Sequence, residues 1–205
     1  MKKAVEIVRD NLTLRGMLQV PDDRGERVPG IAAFHGFTGH KAESHFIFAK
    51  LSNSLEKAGI ASVRFDFACS GESDGDFEDM TPETELKDAK AILNYLLSLD
   101  FIDSKRVGIC GLSMGGYIAG ITAGDNKDRV KSLCLWAPAG NMKYIFKNVI
   151  DQNTEISDGV YELNGFKLGR GAYESACRID HISRTKAYEG KACIIHGTND
   201  TSVPR

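Results

Sequence analysis

Gly111-Leu112-Ser113-Met114-Gly115 matches G-x-S-x-G, the pattern that puts a serine nucleophile on a sharp strand-to-helix turn. Glycine is frequent here, 21 of 205 residues, so the pattern takes its weight from its flanks. The apolar run Arg106-Val107-Gly108-Ile109-Cys110 precedes it and Gly116-Tyr117-Ile118-Ala119 follows. A strand, tight turn and helix would hold the Ser113 hydroxyl clear, at a helix N-terminus whose dipole favours developing negative charge. A phosphate-binding loop would instead need G-x-x-x-x-G-K-[ST] or G-x-G-x-x-G, and neither occurs. An acyl-transfer serine also needs two N–H donors facing the tetrahedral oxygen. Met114, directly after the nucleophile, supplies one. Phe37, in His35-Gly36-Phe37-Thr38-Gly39 after the apolar run 30–34, is expected to supply the other.

Asp200 closes His196-Gly197-Thr198-Asn199-Asp200 and fits the acid that orients a base. The chain order for such a site is serine, acid, then histidine. No histidine follows His196. His35 ends a strand and reads as a structural histidine beneath the loop, while His40 and His45 read as solvent-facing. His181 precedes the acid and breaks the order. His196 is too close to Asp200 in the chain to be its usual partner.

These residues need elements to position them. Two apolar-rich runs around Asp10-Asn11 predict a hairpin. Short apolar runs at 30–34, 60–67, 106–110, 132–136 and 192–196 predict buried strands. Residues 42–58 carry Phe46, Ala49, Leu51 and Leu55 at near-helical spacing and stop at Gly59. Thr81-Pro82-Glu83 opens a second helix, with Thr81 as N-cap and Pro82 at the first helical position. A third helix is expected over 116–123. Strands alternating with helices predict an α/β fold, a mostly parallel sheet with helices on both faces. Residues 139–185 break that rhythm, and Asn164-Gly165 between two alternating runs signals a hairpin. The expected organisation is a first core part over 1–138, a small cap insert over 139–185 and a continued, truncated core over 186–205. The last crossover helix, strand and helix would need roughly 30–40 further residues. The expectation is therefore a fold whose C-terminal strand and helix are missing, present as a separate piece if the site is to be complete.

Composition narrows the partners. Lys+Arg is 26 and Asp+Glu 28, a net charge of −2, which disfavours a nucleic-acid binder. The five cysteines form no Cys-x-x-Cys pair, and Cys110, Cys134 and Cys193 lie in apolar runs. Scattered buried thiols suit a reducing compartment, and no signal peptide is visible, so a cytoplasmic location is expected. The expected partner is a small-molecule ester, with no nucleic acid, membrane, metal or cofactor; a homodimer is left open.

Together His35-Gly36-Phe37-Thr38-Gly39-His40, Arg64-Phe65-Asp66-Phe67 with Gly71-Glu72-Ser73, the Ser113 motif and the Asp200 motif resemble the α/β-hydrolase superfamily. Within it, the chain is most similar to bacterial cinnamoyl (feruloyl) esterases. The resemblance implies the α/β-hydrolase fold and a serine carboxylesterase working through an acyl-enzyme. It implies a small cap after Trp136-Ala137-Pro138-Ala139 that holds an aromatic acyl group, with Gln152 and Tyr173 as substrate-binding residues toward the phenolic hydroxyls. A peptidase or thioesterase on this fold, and a binding protein lacking the base, are the rival readings.

Overall fold

The computed structural model describes residues 1–22 and 25–203. Its chain opens with the expected hairpin, β1 (Lys2–Arg9) and β2 (Leu12–Gln19), turned by Asp10 and Asn11 at φ 47° and 66°. Both turn residues are in the left-handed region that a two-residue hairpin loop demands. Next come β3 (Val28–Phe34), α1 (Ile47–Lys57), β4 (Ala61–Phe65), α2 (Pro82–Ser98), β5 (Ile102–Leu112), α3 (Met114–Asp125) and β6 (Ser132–Trp136). After α4 (Met142–Gln152), β7 (Glu155–Ser157), β8 (Val160–Leu163) and β9 (Phe166–Gly169) form a small antiparallel sheet of their own. Then α5 (Gly171–Arg178), α6 (His181–Lys186) and β10 (Lys191–Ile195) complete the described elements. Residues 204–205, the end of the expected truncated segment, lie outside the described residues.

The large sheet has the order β1-β2-β4-β3-β5-β6-β10. Only β1 and β2 run antiparallel; every pairing from β4 to β10 is parallel. This is the α/β-hydrolase fold, with apolar strand residues facing helices on both sides. On β3, a methyl at Gly30 would meet Leu96 of α2, while Ile31, on the opposite face, lines a groove with Leu51 and Leu55 of α1. The best-buried helix is α3, where every residue from Met114 to Gly124 is buried. Apolar residues surround its whole circumference, as a helix sandwiched between a sheet and other helices requires. A side chain at Gly116 would press on Pro138, at Gly120 on Thr185, and at Gly124 on the Arg184 carbonyl. This glycine stripe, four residues apart, lets α6 and the turn after β6 close on α3.

The first helix starts later than the spacing predicts, at Ile47 rather than residue 42. Thr38, Glu43, His45 and Phe46 all have φ between 55° and 59°, which no helix turn tolerates. The α2 start is as read: the Thr81 hydroxyl accepts the Thr84 N–H, and the Thr84 side chain accepts the Thr81 N–H in return.

Two carboxyls of α2 are buried. Asp88 accepts the Ala68 N–H at 2.8 Å and Arg9 Nε at 2.5 Å. Glu85 is fully enclosed, and its Oε2 has no hydrogen-bond partner. Burial, with the Asp88 charge nearby, holds the Glu85 carboxyl well above its ordinary value of 4.5. Glu85 therefore keeps its proton in the fold but loses it on unfolding once pH exceeds that ordinary value. Stability falls accordingly as pH rises toward the folded-state value. Glu85→Gln should gain stability relative to the wild type as pH rises above about 5. Thermal melts of the two proteins across that range check this; parallel curves would contradict it.

Candidate active site

β5 ends at Leu112, and α3 begins two residues later, at Met114. Ser113 alone makes the turn, at φ 54° and ψ −119°. Such a backbone costs an L-residue of order 1–3 kcal/mol and persists only where the surroundings hold it. The Ser113 N–H donates to the Trp136 carbonyl at 2.9 Å, and its carbonyl takes N–H groups from Gly116, Tyr117 and Ala139. The flanking glycines are steric necessities. A methyl at Gly111 would overlap the Gly115 carbonyl, and one at Gly115 would overlap the carbonyls of Phe34 and His35. The helix that carries the serine thus rests directly on the end of β3.

The loop after β3 is laid beside the serine. A methyl on Gly36 would sit 3.3 Å from Ser113 Cβ. Among the described residues, neither the Phe37 nor the Met114 N–H donates to a protein acceptor. The two donors expected from the motifs are thus unpaired, on segments that meet at Ser113.

Two buried carboxylates shape this loop, and neither role was legible in the motifs. Glu43 is 6% exposed. It accepts the Gly36 N–H in a short hydrogen bond and the Ser44 N–H at 3.2 Å. Asp66 is wholly buried and ties Lys41 Nζ at 2.6 Å, the Lys41 N–H at 2.5 Å and the Glu72 N–H at 2.9 Å. Gly71, at φ 57°, passes so close that any side chain there would strike the Asp66 carboxylate.

His35 is structural, as expected. Its Nδ1–H donates to the Gly36 carbonyl at 2.9 Å, and Nε2 accepts the Phe67 N–H at 3.0 Å. Burial pushes its pKa below the ordinary 6.5. His40 and His45 are exposed. His181 stacks on Tyr117 at 5.2 Å. His196 Nε2 lies 2.7 Å from the Val203 carbonyl and 3.7 Å from Asp200 Oδ2. Among the described residues, none of the five histidines hydrogen-bonds Ser113.

Asp200 lies beyond β10. Leu112, Trp136 and Ile195 are aligned across β5, β6 and β10, so Ser113 and Asp200 leave the same sheet edge two strands apart. The Asp200 carboxylate accepts the Val203 N–H at 2.8 Å and the Ser202 N–H at 2.9 Å. Those bonds, with His196 adding to them, hold its pKa below the usual carboxylate value.

The insert meets the loop through aromatic rings. Phe37 packs on Phe146 of α4 at 5.3 Å and on Phe77 at 5.6 Å, and Phe77 on Phe166 of β9 at 4.8 Å. Gln152, at the end of α4, is exposed. Tyr173, on α5, is half-buried. No described contact joins either residue to Ser113. Among the described residues, no cluster of His, Cys, Asp and Glu could hold a metal ion, and no helix is long and apolar enough to cross a membrane.

The family model described as "Prolyl oligopeptidase family" matches residues 47–205. An uncharacterised 31.7 kDa protein from the traX-finO intergenic region of Escherichia coli is 32% identical over 88 residues, 43% of this chain and 30% of that protein. Inactive dipeptidyl peptidase 10 of Rattus norvegicus is 31% identical over 123 residues, 60% of this chain and 14% of that protein. The chain thus spans well under two thirds of the length of these relatives. Est1E from Butyrivibrio proteoclasticus, solved with ferulic acid bound, superposes with a TM-score of 0.88 at 29% identity, covering 98% of this chain and 81% of that one.

The elbow geometry yields a paired test. Gly115→Ala forces a methyl into two backbone carbonyls and should cost at least about 1–3 kcal/mol, the range for an overpacked site. Gly140→Ala has open space around it and should stay within about 0.5 kcal/mol of the wild type. Urea unfolding of both variants reads the difference.

Proposed function

The chain belongs to the prolyl oligopeptidase family, and we propose that this member is a serine carboxylesterase acting on esters of hydroxycinnamic, feruloyl-type acids. The observation that carries the reading is Ser113 itself, at φ 54° on the N-terminus of α3, with the unpaired amides of Phe37 and Met114 on the segments that meet there. In this reading, Ser113 Oγ attacks the ester carbonyl and the Phe37 and Met114 N–H groups hold the oxyanion. The alkoxide leaves as alcohol and water then hydrolyses the acyl-enzyme. Asp200 orients the imidazole that takes the Ser113 proton. Because the five histidines of this stretch are engaged or placed elsewhere, that imidazole comes from outside residues 1–205.

The aromatic acyl group is supported by the ring contacts Phe146–Phe37–Phe77–Phe166, which run from the oxyanion loop into the insert. An apolar acyl chain of ring type fits such walls, with Gln152 and Tyr173 as proposed partners of its phenolic hydroxyls. The likeness to Est1E with ferulic acid bound points the same way. A second reading, a binding unit without turnover, is favoured by one fact: no described histidine reaches Ser113.

Kinetics on the intact protein separate the two readings. Ser113→Ala should lower kcat for a feruloyl ester by at least about 10³-fold while leaving the melting temperature near the wild-type value. The wild type should show a higher kcat/KM for a feruloyl ester than for a long-chain saturated ester. Ligand binding without turnover in the wild type would establish the second reading.

A further inference from the structure

The loop between β3 and α1 wraps around a single carboxylate oxygen. Glu43 Oε1 takes the Gly36 N–H in a short hydrogen bond. A methyl on Gly36 would stand 3.4 Å from that oxygen, and one on Gly39 3.0 Å from it. The same Gly36 methyl would stand 3.3 Å from Ser113 Cβ, so one glycine separates the carboxylate from the serine. Glu43 is buried, and its backbone holds φ 58°, which an L-residue keeps only where its surroundings fix it. Here its N–H donates to the His40 carbonyl at 2.9 Å, and its carbonyl accepts the Phe46 N–H at 3.0 Å.

We propose that Glu43 is a positioning residue for ester hydrolysis, and that its hydrogen bond to Gly36 sets where the Phe37 N–H stands. This role rests on the esterase reading, in which that N–H holds the oxyanion. The Phe37 N–H belongs to the peptide that carries the Gly36 carbonyl, and a trans peptide points the two in opposite directions. That carbonyl is fixed twice, by His35 Nδ1–H at 2.9 Å and by the Gly39 N–H at 3.0 Å. Those two bonds set the direction of the Phe37 N–H; the Glu43 bond, one peptide earlier, sets its place. Without that tether the glycines on either side of Phe37 and Thr38 leave the loop free to shift. A 1 Å misplacement of a group that acts on the transition state costs on the order of 10²-fold in rate.

Reach, rather than field, is what Glu43 supplies. A negative charge beside an oxyanion site opposes the charge that the reaction builds there, so the field of the carboxylate works against turnover. What the loop uses is an acceptor oxygen on a side chain long enough to span from residue 43 to the Gly36 N–H. Two substitutions separate reach from charge. Glu43→Gln keeps the length and an oxygen for Gly36. Its amide nitrogen then faces the Ser44 N–H, where the wild-type bond is the longer of the two, at 3.2 Å. Glu43→Asp keeps the charge but is shorter by one C–C bond, about 1.5 Å.

The test compares the intact wild-type protein with both variants, each checked for folding by circular dichroism. Three quantities are read: hydrolysis of a feruloyl ester, inhibition by an aryl boronic acid, which adds to a serine hydroxyl as a tetrahedral anion, and inhibition by free ferulate, which does not. Glu43→Asp should lower kcat about 10²-fold and weaken the boronate by a similar factor, with KM and ferulate inhibition within about 3-fold of the wild type. Glu43→Gln should lose no more than about 10-fold in kcat or boronate affinity, since only the charge assistance of the bond is gone. The role is overturned by a Gln variant as poor as the Asp variant, by an Asp variant that turns over like the wild type, or by an Asp variant whose ferulate affinity falls as far as its kcat. Should Glu43→Asp not fold, Glu43→Gln decides: a loss within about 10-fold supports the role and a larger one overturns it. A wild type without turnover overturns the esterase reading and this role with it; a wild type that turns over, with both variants matching it, overturns the role alone.

Discussion

Ser113 sits in a backbone conformation that an L-residue leaves unless it is held, and much of the surrounding structure serves to hold it. Its N–H is fixed to β6 through the Trp136 carbonyl. Its carbonyl is fixed to α3 and to the turn at Ala139. Gly115 brings α3 against the Phe34 and His35 carbonyls, so the register of β3 and β5 decides where the serine stands. The glycine stripe on the far side of α3 lets α6 press the helix onto the sheet. A strained turn of this kind is stable because the packing on either side over-determines it.

The loop beside the serine is held by charge rather than by packing. Glu43 and Asp66 are both buried, and both accept backbone N–H groups of the loops around the site. Taking a carboxylate out of water is costly unless its oxygens are fully used. Asp66 meets that condition with the Lys41 ammonium and two amides, and Glu43 with two amides. The Gly36 N–H is thus committed to Glu43, while the Phe37 N–H donates to no described acceptor. Aromatic contacts from Phe37 then link this loop to the insert.

What could be read from the chain follows the range of the forces involved. The Asp10-Asn11 hairpin, the Thr81 cap and the Ser113 turn each depend on a few neighbouring residues, and each stands where local chemistry puts it. Phe46 fits the apolar spacing of a helix, yet Glu43, His45 and Phe46 all turn at positive φ while the Glu43 carboxylate takes the Gly36 and Ser44 N–H groups, so α1 starts only at Ile47. Glu43 and Asp66 have roles set by partners up to 25 residues away, and no spacing rule announces them. Cys110, Cys134 and Cys193, in three separate apolar runs, fall in register only because β5, β6 and β10 are adjacent, which needs the strand order itself.

The central claim is that the Ser113 hydroxyl becomes covalently acylated. Rapid acid quench of the intact protein turning over a chromogenic feruloyl ester, followed by peptide mapping, tests it directly. The account predicts a feruloyl group on the Ser113 peptide and on no other. An acyl group elsewhere, or continued turnover with Ser113 unmodified at every quench time, would contradict it.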